Sequence, residues 1–315
     1  MTIDVLVLGG AHIDRRGRIS ACLVAGASNP GSWIEEPGGG GFNAARSLSR
    51  LGLSVTMVSP RGGDATGEKV TEAALAAGVD DRPFVFLDRA TPTYTAILEN
   101  DGNLVVGLAD MELYRLFTPR RLQVKSVREA MAQARIVVVD ANLPTETLEA
   151  IAAITARQGQ MLAGIAISPA KVIRYRNCLD KLDWLFLNEA EAAALTGRAG
   201  SAPLELANLL RAEGLKAAVV TRGPSPALCF HASGAFTIDP PPLSAIRDVT
   251  GAGDSLAAGM IYALARGFQP PQALRHGVAL AGLTLLSPQA IVADLHPDQL
   301  GKALTRVAEA VPLGS

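Results

Sequence analysis

The feature that most constrains the fold is a regular alternation of short apolar runs and helix-spaced segments between residues 136 and 238. The apolar runs predict strands at residues 136–139, 162–167, 184–187 and 217–220. The segments between them predict helices at residues 145–157, 190–195 and 203–213. Because strands that alternate with helices pair in parallel, the pattern favours a doubly wound α/β sheet with helices on both faces, a three-layer α/β/α sandwich.

Two hairpin patterns interrupt this alternation. Residues 94–98 and 103–107 flank Asn100-Asp-Gly-Asn103, which is a strong signal for a hairpin turn. A second antiparallel pair is predicted at residues 227–231 and 235–238. The last part of the chain predicts helices at residues 254–265, 271–286 and 297–309.

The N-terminal part predicts a small additional sheet. Candidate short strands lie at residues 20–24 and 32–35, between glycine- and proline-rich turns. Together with the first hairpin they predict a β lid contributed by about residues 12–36 and 93–108 of one domain that spans residues 1–315. Since an exposed strand edge invites pairing, the lid also predicts a homodimer.

Composition excludes several classes of function. Lys and Arg number 29 against 30 Asp and Glu, and no basic stripe is present, so a nucleic-acid partner is not expected. The sequence has no run of about 18 apolar residues, so a membrane span is not expected. Its first residues lack the pattern of a secretory signal. The cysteines Cys22, Cys178 and Cys229 fit neither a disulfide framework nor a zinc site, which is typical of a reducing cytoplasm.

The segment with the most direct bearing on chemistry is Asp248-Val-Thr-Gly-Ala-Gly-Asp254, which opens a predicted helix. The small residues at positions 251–253 allow a tight turn, and the N–H groups there have no partner within the helix. Such a helix start binds anions, because the free N–H groups and the helix dipole both favour negative charge. Asp254 then either caps the helix or accepts a proton from a hydroxyl group while the N–H groups hold a phosphoryl group.

A second glycine-rich segment, Pro37-Gly-Gly-Gly-Gly-Phe-Asn43, also leads into a helix. It is either a turn that lets a ligand approach the backbone or a flexible turn without a ligand. The P-loop and dinucleotide patterns are not matched, so neither a Walker ATPase nor a dehydrogenase is expected. His12 is either a substrate contact or a satisfied histidine.

Together these motifs resemble the two signatures of the PfkB/ribokinase family, a Gly-Gly-x-Gly-x-Asn helix start and an Asp-x-Thr-Gly-Ala-Gly-Asp anion hole. Between them, Asn188-Glu-Ala-Glu191 is similar to the family's Asn-x-x-Glu motif, and Thr221-Arg-Gly223 is similar to its Thr-x-Gly nucleotide loop. Asp14 follows the first predicted strand, as the sugar-binding Asp does in relatives. The resemblance spans essentially the whole chain and implies a ribokinase-like fold.

The resemblance implies a kinase that uses ATP and Mg²⁺, with K⁺ as an activator in many relatives. Asp254 is implied to be the general base on the substrate's primary hydroxyl. The residues implied for the anion hole are Gly251, Ala252 and Gly253. Those implied for the ribose hydroxyls are Asp14, Gly39 and Asn43. Those implied for ATP and Mg²⁺ are Asn188, Glu191, Thr221 and Gly223, and those for a monovalent cation are Asp248 and Thr250.

Within the family, the chain is most similar to the pseudouridine kinases. The similarity lies in Ser28-Asn-Pro-Gly31, Ala109-Asp-Met111 and Asp140-Ala-Asn142. Asn142 stands where ribose-specific kinases tend to carry Glu, so it is implied to contact the substrate. The implied reaction transfers phosphate from ATP to the 5′-hydroxyl of pseudouridine. Ribose, another nucleoside or a ketose stays open as the substrate, and a non-catalytic nucleoside-binding sensor is the alternative of a different class.

Overall fold

The computed structural model describes residues 3–243 and 245–314. Within them the chain forms ten α-helices, numbered α1 to α10, at Gly40–Arg50, Ala65–Ala76, Lys125–Gln133, Thr145–Gln158, Pro169–Val172, Glu189–Thr196, Pro203–Ala212, Ala252–Ala265, Pro270–Leu285 and Pro297–Leu304. Three 3-10 helices lie at Glu112–Leu116, Pro119–Gln123 and Ile173–Lys181. None of the helices in this part of the chain has the length and apolar character needed to cross a membrane.

The same residues form sixteen strands, numbered β1 to β16, at Ile3–Leu8, His12–Ile19, Gly31–Gly38, Val55–Val58, Pro60–Gly62, Asp80–Asp81, Phe84–Phe86, Thr93–Leu98, Leu104–Asp110, Ala134–Asp140, Met161–Ile165, Trp184–Asn188, Ala218–Arg222, Ser225–His231, Gly234–Ile238 and Val311–Pro312. Ten of them form the main sheet, in the order β16-β15-β14-β13-β12-β11-β10-β1-β4-β6. The neighbours among β13, β12, β11, β10, β1, β4 and β6 pair in parallel. Strand β14 pairs antiparallel with β13, β15 with β14, and β16 with β15. The predicted parallel sheet and its hairpin at β14 and β15 are confirmed.

Strand β1 shows how the layers form. Val5 and Val7 belong to a hydrophobic core that includes residues of α1, α8 and α9. Leu6 and Leu8 belong to a second core, which includes residues of α3 and α4. Because successive side chains of a strand point to opposite faces, an unbroken apolar strand supplies a core on each side of the sheet. The predicted α/β/α sandwich is therefore confirmed.

Four further strands form a smaller sheet, which we call the lid, in the order β3-β2-β8-β9. Strand β2 pairs antiparallel with β3 and parallel with β8, and β8 and β9 form the hairpin predicted at residues 94–98 and 103–107. The prediction of a strand at residues 20–24 is wrong. The strand lies earlier, at His12–Ile19, and the chain bends and turns over residues 20–27.

The physical reason for this difference is the composition of β2. Its buried positions are His12, Ile13, Gly17 and Ile19, whereas charged residues occupy the positions between Ile13 and Gly17 and between Gly17 and Ile19. Gly17 is covered by the Trp33 side chain of β3, since an added Cβ at residue 17 would lie 2.7 Å from that ring. A strand buried partly by a neighbouring aromatic ring carries only a weak hydrophobic pattern of its own.

The main sheet brings four polar segments to one edge. Strands β1, β10, β12 and β13 run parallel, so their carboxyl ends meet there. Gly9 and Gly10 follow β1, Asp140 ends β10, and Asn188 ends β12 beside Thr221 of β13. In open α/β sheets this edge is where ligands bind.

Candidate active site

A cavity of about 680 Å³ lies between the lid and this edge of the main sheet. Its volume is within the usual range for small-molecule sites. Eleven of the fourteen predicted site residues line it, namely Asp14, Gly39, Asn43, Asn142, Asn188, Glu191, Thr221, Thr250, Gly251, Gly253 and Asp254. Ala252 lies between two lining residues, and Asp248 immediately precedes the lining residues Val249 and Thr250. Gly223 lies apart from the cavity wall, in the exposed turn between β13 and β14.

The two glycine-rich segments meet through a hydrogen bond between side chains. Asn43 Nδ2 donates to Asp254 Oδ2 at 2.8 Å, across 211 residues of sequence. The N-cap of α8 is Gly251, and no side chain caps that helix end. Asp254 therefore does not cap the helix, and its half-buried carboxylate faces the other glycine-rich segment instead.

The surroundings of Asp254 make it a stronger base than an ordinary aspartate. Burial raises the pKa of Asp254 to about 6, and the carboxylates of Asp140 and Asp14 act in the same direction. The hydrogen bond from Asn43 opposes this rise. At pH 7 the group is still mostly ionised, so it is able to accept a proton from an alcohol.

The start of α8 depends on a glycine at position 251. Gly251 has φ +76°, and a Cβ there would lie 1.9 Å from the carbonyl oxygen of Ala290. Only glycine satisfies both conditions. The N–H groups of Gly253 and Asp254 fall in the first turn of α8, where no earlier helical carbonyl is available. This arrangement supplies N–H donors for an anion beside the Asp254 carboxylate.

Helix α1 holds Asn43 in a fixed orientation. It begins after Gly39, whose φ of +111° again requires glycine. The buried guanidinium of Arg46 donates to Asn43 Oδ1 and to the carbonyl oxygen of Pro37, both at 2.7 Å. Because Oδ1 accepts from Arg46, the amide nitrogen of Asn43 is directed toward Asp254. Burial lowers the pKa of Arg46 to about 10, so the guanidinium remains charged at neutral pH.

Asp140 is a positioning residue that sequence reasoning treated only as part of a subgroup marker. Its fully buried carboxylate accepts hydrogen bonds from the backbone N–H groups of Gly10, Gly41 and Asn142 at 2.8 to 2.9 Å. One side chain thus joins the loop after β1, the start of α1 and the loop after β10. The signal available in the sequence was an aspartate at the carboxyl end of a buried strand.

Asp14 is oriented by a buried histidine. His12 Nε2 lies 3.2 Å from Asp14 Oδ1, and His12 Nδ1 lies 2.8 Å from the hydroxyl oxygen of Tyr114. Both His12 and Asp14 line the cavity. Burial raises the pKa of Tyr114 well above its usual value, so its hydroxyl keeps its proton.

Asn188 and Glu191 form a reciprocal cap at the start of α6. Asn188 Oδ1 accepts from the N–H of Glu191 at 2.9 Å, and Glu191 Oε2 accepts from the N–H of Asn188 at 2.7 Å. Burial raises the pKa of Glu191, although the bond from Asn188 opposes the shift. Thr221 pairs with Asn188 across the neighbouring strands, so all three residues lie on the same wall of the cavity.

The two residues predicted to hold a monovalent cation lie together, but the carboxylate has other partners. Asp248 Oδ1 accepts from the N–H of Thr250 at 2.8 Å, and Asp248 Oδ2 accepts from the guanidinium of Arg16, on lid strand β2. A permanent positive charge therefore already contacts this carboxylate. The residues present fit a bound cation poorly, and the cation role remains a prediction.

A second cavity, of about 330 Å³, shares Ala109, Met111, Asn142 and Lys171 with the first. Lys171 Nζ donates to Asn142 Oδ1 at 2.7 Å. The Nδ2 atom of Asn142 is buried and has no partner among the described residues. Burial lowers the pKa of Lys171. Sequence reasoning missed Lys171, because a lone lysine in a predicted loop carries no motif.

Comparison with known proteins places this geometry in a family. The chain is 27% identical over 285 residues to a pseudouridine kinase of Escherichia coli, covering 89% of this chain and 90% of that protein. It is 53% identical to a carbohydrate kinase structure from Agrobacterium tumefaciens, with a TM-score of 0.89 and coverage of 99% and 100% of the two chains.

The fold also matches that of Arabidopsis thaliana ribokinase in complex with ribose and ATP, with a TM-score of 0.85 at 22% identity and coverage of 96% and 99%. The ribokinase-like fold implied by the sequence is thereby confirmed. The model of the pfkB family of carbohydrate kinases matches residues 2–296. Because this match covers nearly the whole chain, including both glycine-rich segments and the Asn43–Asp254 contact, the protein belongs to the pfkB family of carbohydrate kinases.

Proposed function

We propose that this kinase transfers the γ-phosphoryl group of ATP to the 5′-hydroxyl of a ribosyl substrate, with pseudouridine as the substrate that the observations favour. The single observation that carries the proposal is the contact between Asn43 and Asp254 beside the start of α8. It places a polar amide, a carboxylate of raised pKa and free N–H groups in one cavity. Phosphoryl transfer requires mainly such positioning and charge stabilisation.

In the proposed mechanism Asp254 accepts the proton of the attacking hydroxyl group. The N–H groups at Gly251, Ala252 and Gly253 stabilise the charge on the transferring phosphoryl oxygens. Asp14, Gly39 and Asn43 bind the ribose hydroxyls, since carboxylate and amide oxygens accept from hydroxyl groups and the amide nitrogen donates to them. Asp140 and Arg46 act indirectly, because they fix the backbone and the amide orientation at these positions.

ATP is assigned to the wall formed by β12 and β13, with Thr221 along the nucleotide. Gly223 lies outside the cavity, in the exposed turn after β13, so its assigned contact with ATP is made beyond this wall. Residues 3–243 and 245–314 contain no group of three His, Cys, Asp or Glu side chains able to hold a metal ion. Asn188 and Glu191 would hold a Mg²⁺ ion at this wall, together with the phosphates of ATP. When bound, Mg²⁺ neutralises charge on the phosphates.

The second cavity supports a substrate that is larger than a free sugar. It adjoins the first cavity at Asn142 and Lys171, whose ammonium group donates hydrogen bonds to acceptor oxygens. A nucleobase carbonyl is such an acceptor, whereas free ribose carries only a hydroxyl group at C1, where a nucleoside carries its base. The similarity to a pseudouridine kinase agrees with this assignment.

The test is ATP-dependent phosphorylation of pseudouridine, measured beside uridine, adenosine, ribose and fructose. We expect the largest kcat/KM with pseudouridine and a product phosphorylated at the 5′-oxygen. A larger kcat/KM with ribose or fructose would replace the substrate and leave the kinase assignment intact. Binding of pseudouridine without transfer to any acceptor would instead support the nucleoside-binding sensor.

We further propose that the lid forms a homodimer. Its edge strand β9 is exposed along its whole length, including Leu104, Val106 and Leu108. Half-exposed Trp33 lies on β3, at the opposite edge of the lid. Apolar side chains on an exposed strand edge are typical of a strand-pairing surface. Sedimentation should show a dimer that Leu108→Asp dissociates, and a wild-type monomer across a wide concentration range would contradict the proposal.

The remaining proposal concerns the compartment. Cys22, Cys178 and Cys229 are all free thiols, and burial raises the pKa of the latter two, to about 11 and about 12. Free thiols persist in a reducing cytoplasm, which is also where ATP is available. Cell fractionation with an antibody to this chain tests the assignment.

A further inference from the structure

Arg16 connects the lid to the loop that precedes α8. It extends from β2 of the lid and donates both to Glu36 on the neighbouring strand β3 and to Asp248, which is 232 residues away in sequence. The three side chains are between 17% and 24% exposed, so the contact is largely shielded from water. A bond between an arginine and two shielded carboxylates is stronger than an exposed surface ion pair.

Both oxygens of Asp248 are engaged in this arrangement. Oδ2 accepts from Arg16, and Oδ1 accepts from the backbone N–H of Thr250, which turns the chain immediately before Gly251. The positive charge that faces this carboxylate therefore comes from the lid.

The same carboxylate is the one that the family resemblance assigns to a monovalent cation. A second cation at Asp248 would lie beside the guanidinium and would be repelled by it. The guanidinium is held in this position by two carboxylates, those of Asp248 and Glu36. The residues present thus meet the electrostatic need of Asp248 without an added ion.

We propose that Arg16 takes the place of the potassium ion at Asp248 and, as a positioning residue, holds the loop before α8 against the lid. The protein is then independent of K⁺, and the anion-binding turn at Gly251 is ordered only when the lid lies over the cavity. The loop needs such support, because Val249 is 71% exposed and the following residue Thr250 is exposed as well. The kinetic part of this inference rests on the proposed phosphoryl transfer.

The first experiment compares K⁺ with tetramethylammonium at constant ionic strength. We expect kcat of the wild type to change less than about twofold between the two salts. Arg16→Met should lower kcat at least about tenfold in tetramethylammonium, and K⁺ should restore part of it with a saturable dependence, because a cation can then occupy the vacated position. The matched control is Arg18→Met, on the same face of the same strand but exposed, which should behave as the wild type in both salts.

The second experiment needs no turnover. Thermal unfolding of the wild type should be unaffected by exchanging K⁺ for tetramethylammonium, whereas K⁺ should raise the midpoint of Arg16→Met. Limited proteolysis should cleave between residues 245 and 250 faster in Arg16→Met than in Arg18→Met. If Arg16→Met fails to fold, Arg16→Lys keeps the charge without the two-pronged contact, and it should fold with intermediate cleavage.

Either of two results would overturn the inference. One is a saturable activation of the wild type by K⁺ of more than about twofold, or a rise in its unfolding midpoint with K⁺. The other is an Arg16 variant that matches Arg18→Met in kcat, midpoint and proteolysis. If the wild type transfers phosphate to none of the acceptors, the proposed function fails, and unfolding and proteolysis still decide the role of Arg16.

Discussion

Replacement of Asp254 by asparagine should abolish most of the activity and at the same time stabilise the protein. Asparagine keeps the shape of the side chain and accepts the hydrogen bond from Asn43, but it cannot remove a proton from an alcohol. General base catalysis typically contributes 10²- to 10⁴-fold, so we expect kcat to fall by roughly that factor while the Kd for ATP changes little. Isothermal titration with ATP and a steady-state assay measure the two quantities.

The gain in stability follows from the raised pKa. The pKa of Asp254 is about 6 in the folded protein against an ordinary value of 3.8. Folding therefore favours the protonated carboxyl group, and ionisation above pH 6 costs about 3 kcal/mol, at 1.36 kcal/mol for each unit of pKa. Water in the cavity screens part of this cost, so Asp254→Asn should raise the free energy of unfolding by about 1–3 kcal/mol at pH 7. The corresponding rise in Tm is about 2–6 °C.

The dependence on pH makes this prediction specific. Below about pH 4 the carboxyl group is protonated in both the folded and the unfolded wild type, so the variant should have no advantage there. The advantage should grow from pH 4 to pH 6 and then stay constant. The matched control is Asp298→Asn in the first turn of α10, where the side chain is 85% exposed and no such change is expected. A kcat near that of the wild type, or a difference in Tm that does not vary with pH, would refute the reasoning.

Three further predictions concern the same cavity. In the wild type, kcat should fall tenfold for each pH unit below about pH 6, because protonated Asp254 accepts no proton, and a profile that is flat down to pH 5 would exclude this role. Asp140→Asn should lower the free energy of unfolding in urea by about 2–4 kcal/mol, since an amide cannot accept from all three N–H groups. Asp183→Asn should cost less, since Asp183 accepts a single such bond and the amide oxygen keeps it. Lys171→Met should raise KM for pseudouridine about tenfold, the equivalent of one hydrogen bond to a charged group, and leave ribose unaffected. The exposed Lys125→Met is its control, and an equal loss with ribose would remove Lys171 from the base-binding role.

Much of the main sheet was predictable, because its parallel strands are continuous apolar runs between helices. Strands such as Trp184–Asn188 and helices such as Thr145–Gln158 differ from the predicted bounds by a residue or so. The last predicted helix, at residues 297–309, ends instead at Leu304. The lid was harder to predict. Its first strand, His12–Ile19, is rich in charge and is buried partly by a side chain of the next strand, which local hydropathy cannot show.

The candidate site shows the same division. Eleven of the predicted residues line one cavity. Those at Asn142, Asn188 and Thr221 do so because they lie at the carboxyl ends of parallel strands. Arg16, Arg46, Asp140 and Lys171 were missed, although each contacts a predicted residue. The partner of Arg16 lies 232 residues away and that of Lys171 lies 29 residues away, so no local pattern identifies these two. Asp140 had a local signal, because it ends a buried strand.

The three hydrogen bonds of Asp140 also bear on how the protein is made. Its partners Gly10 and Gly41 are synthesised 130 and 99 residues earlier, and until strand β10 leaves the ribosome their N–H groups have no carboxylate to meet. The partner of Asn43, Asp254, is synthesised later still, 211 residues further along the chain. A nascent chain therefore has no ligand site to protect it during most of its synthesis, and ligand binding marks a chain that has completed its fold.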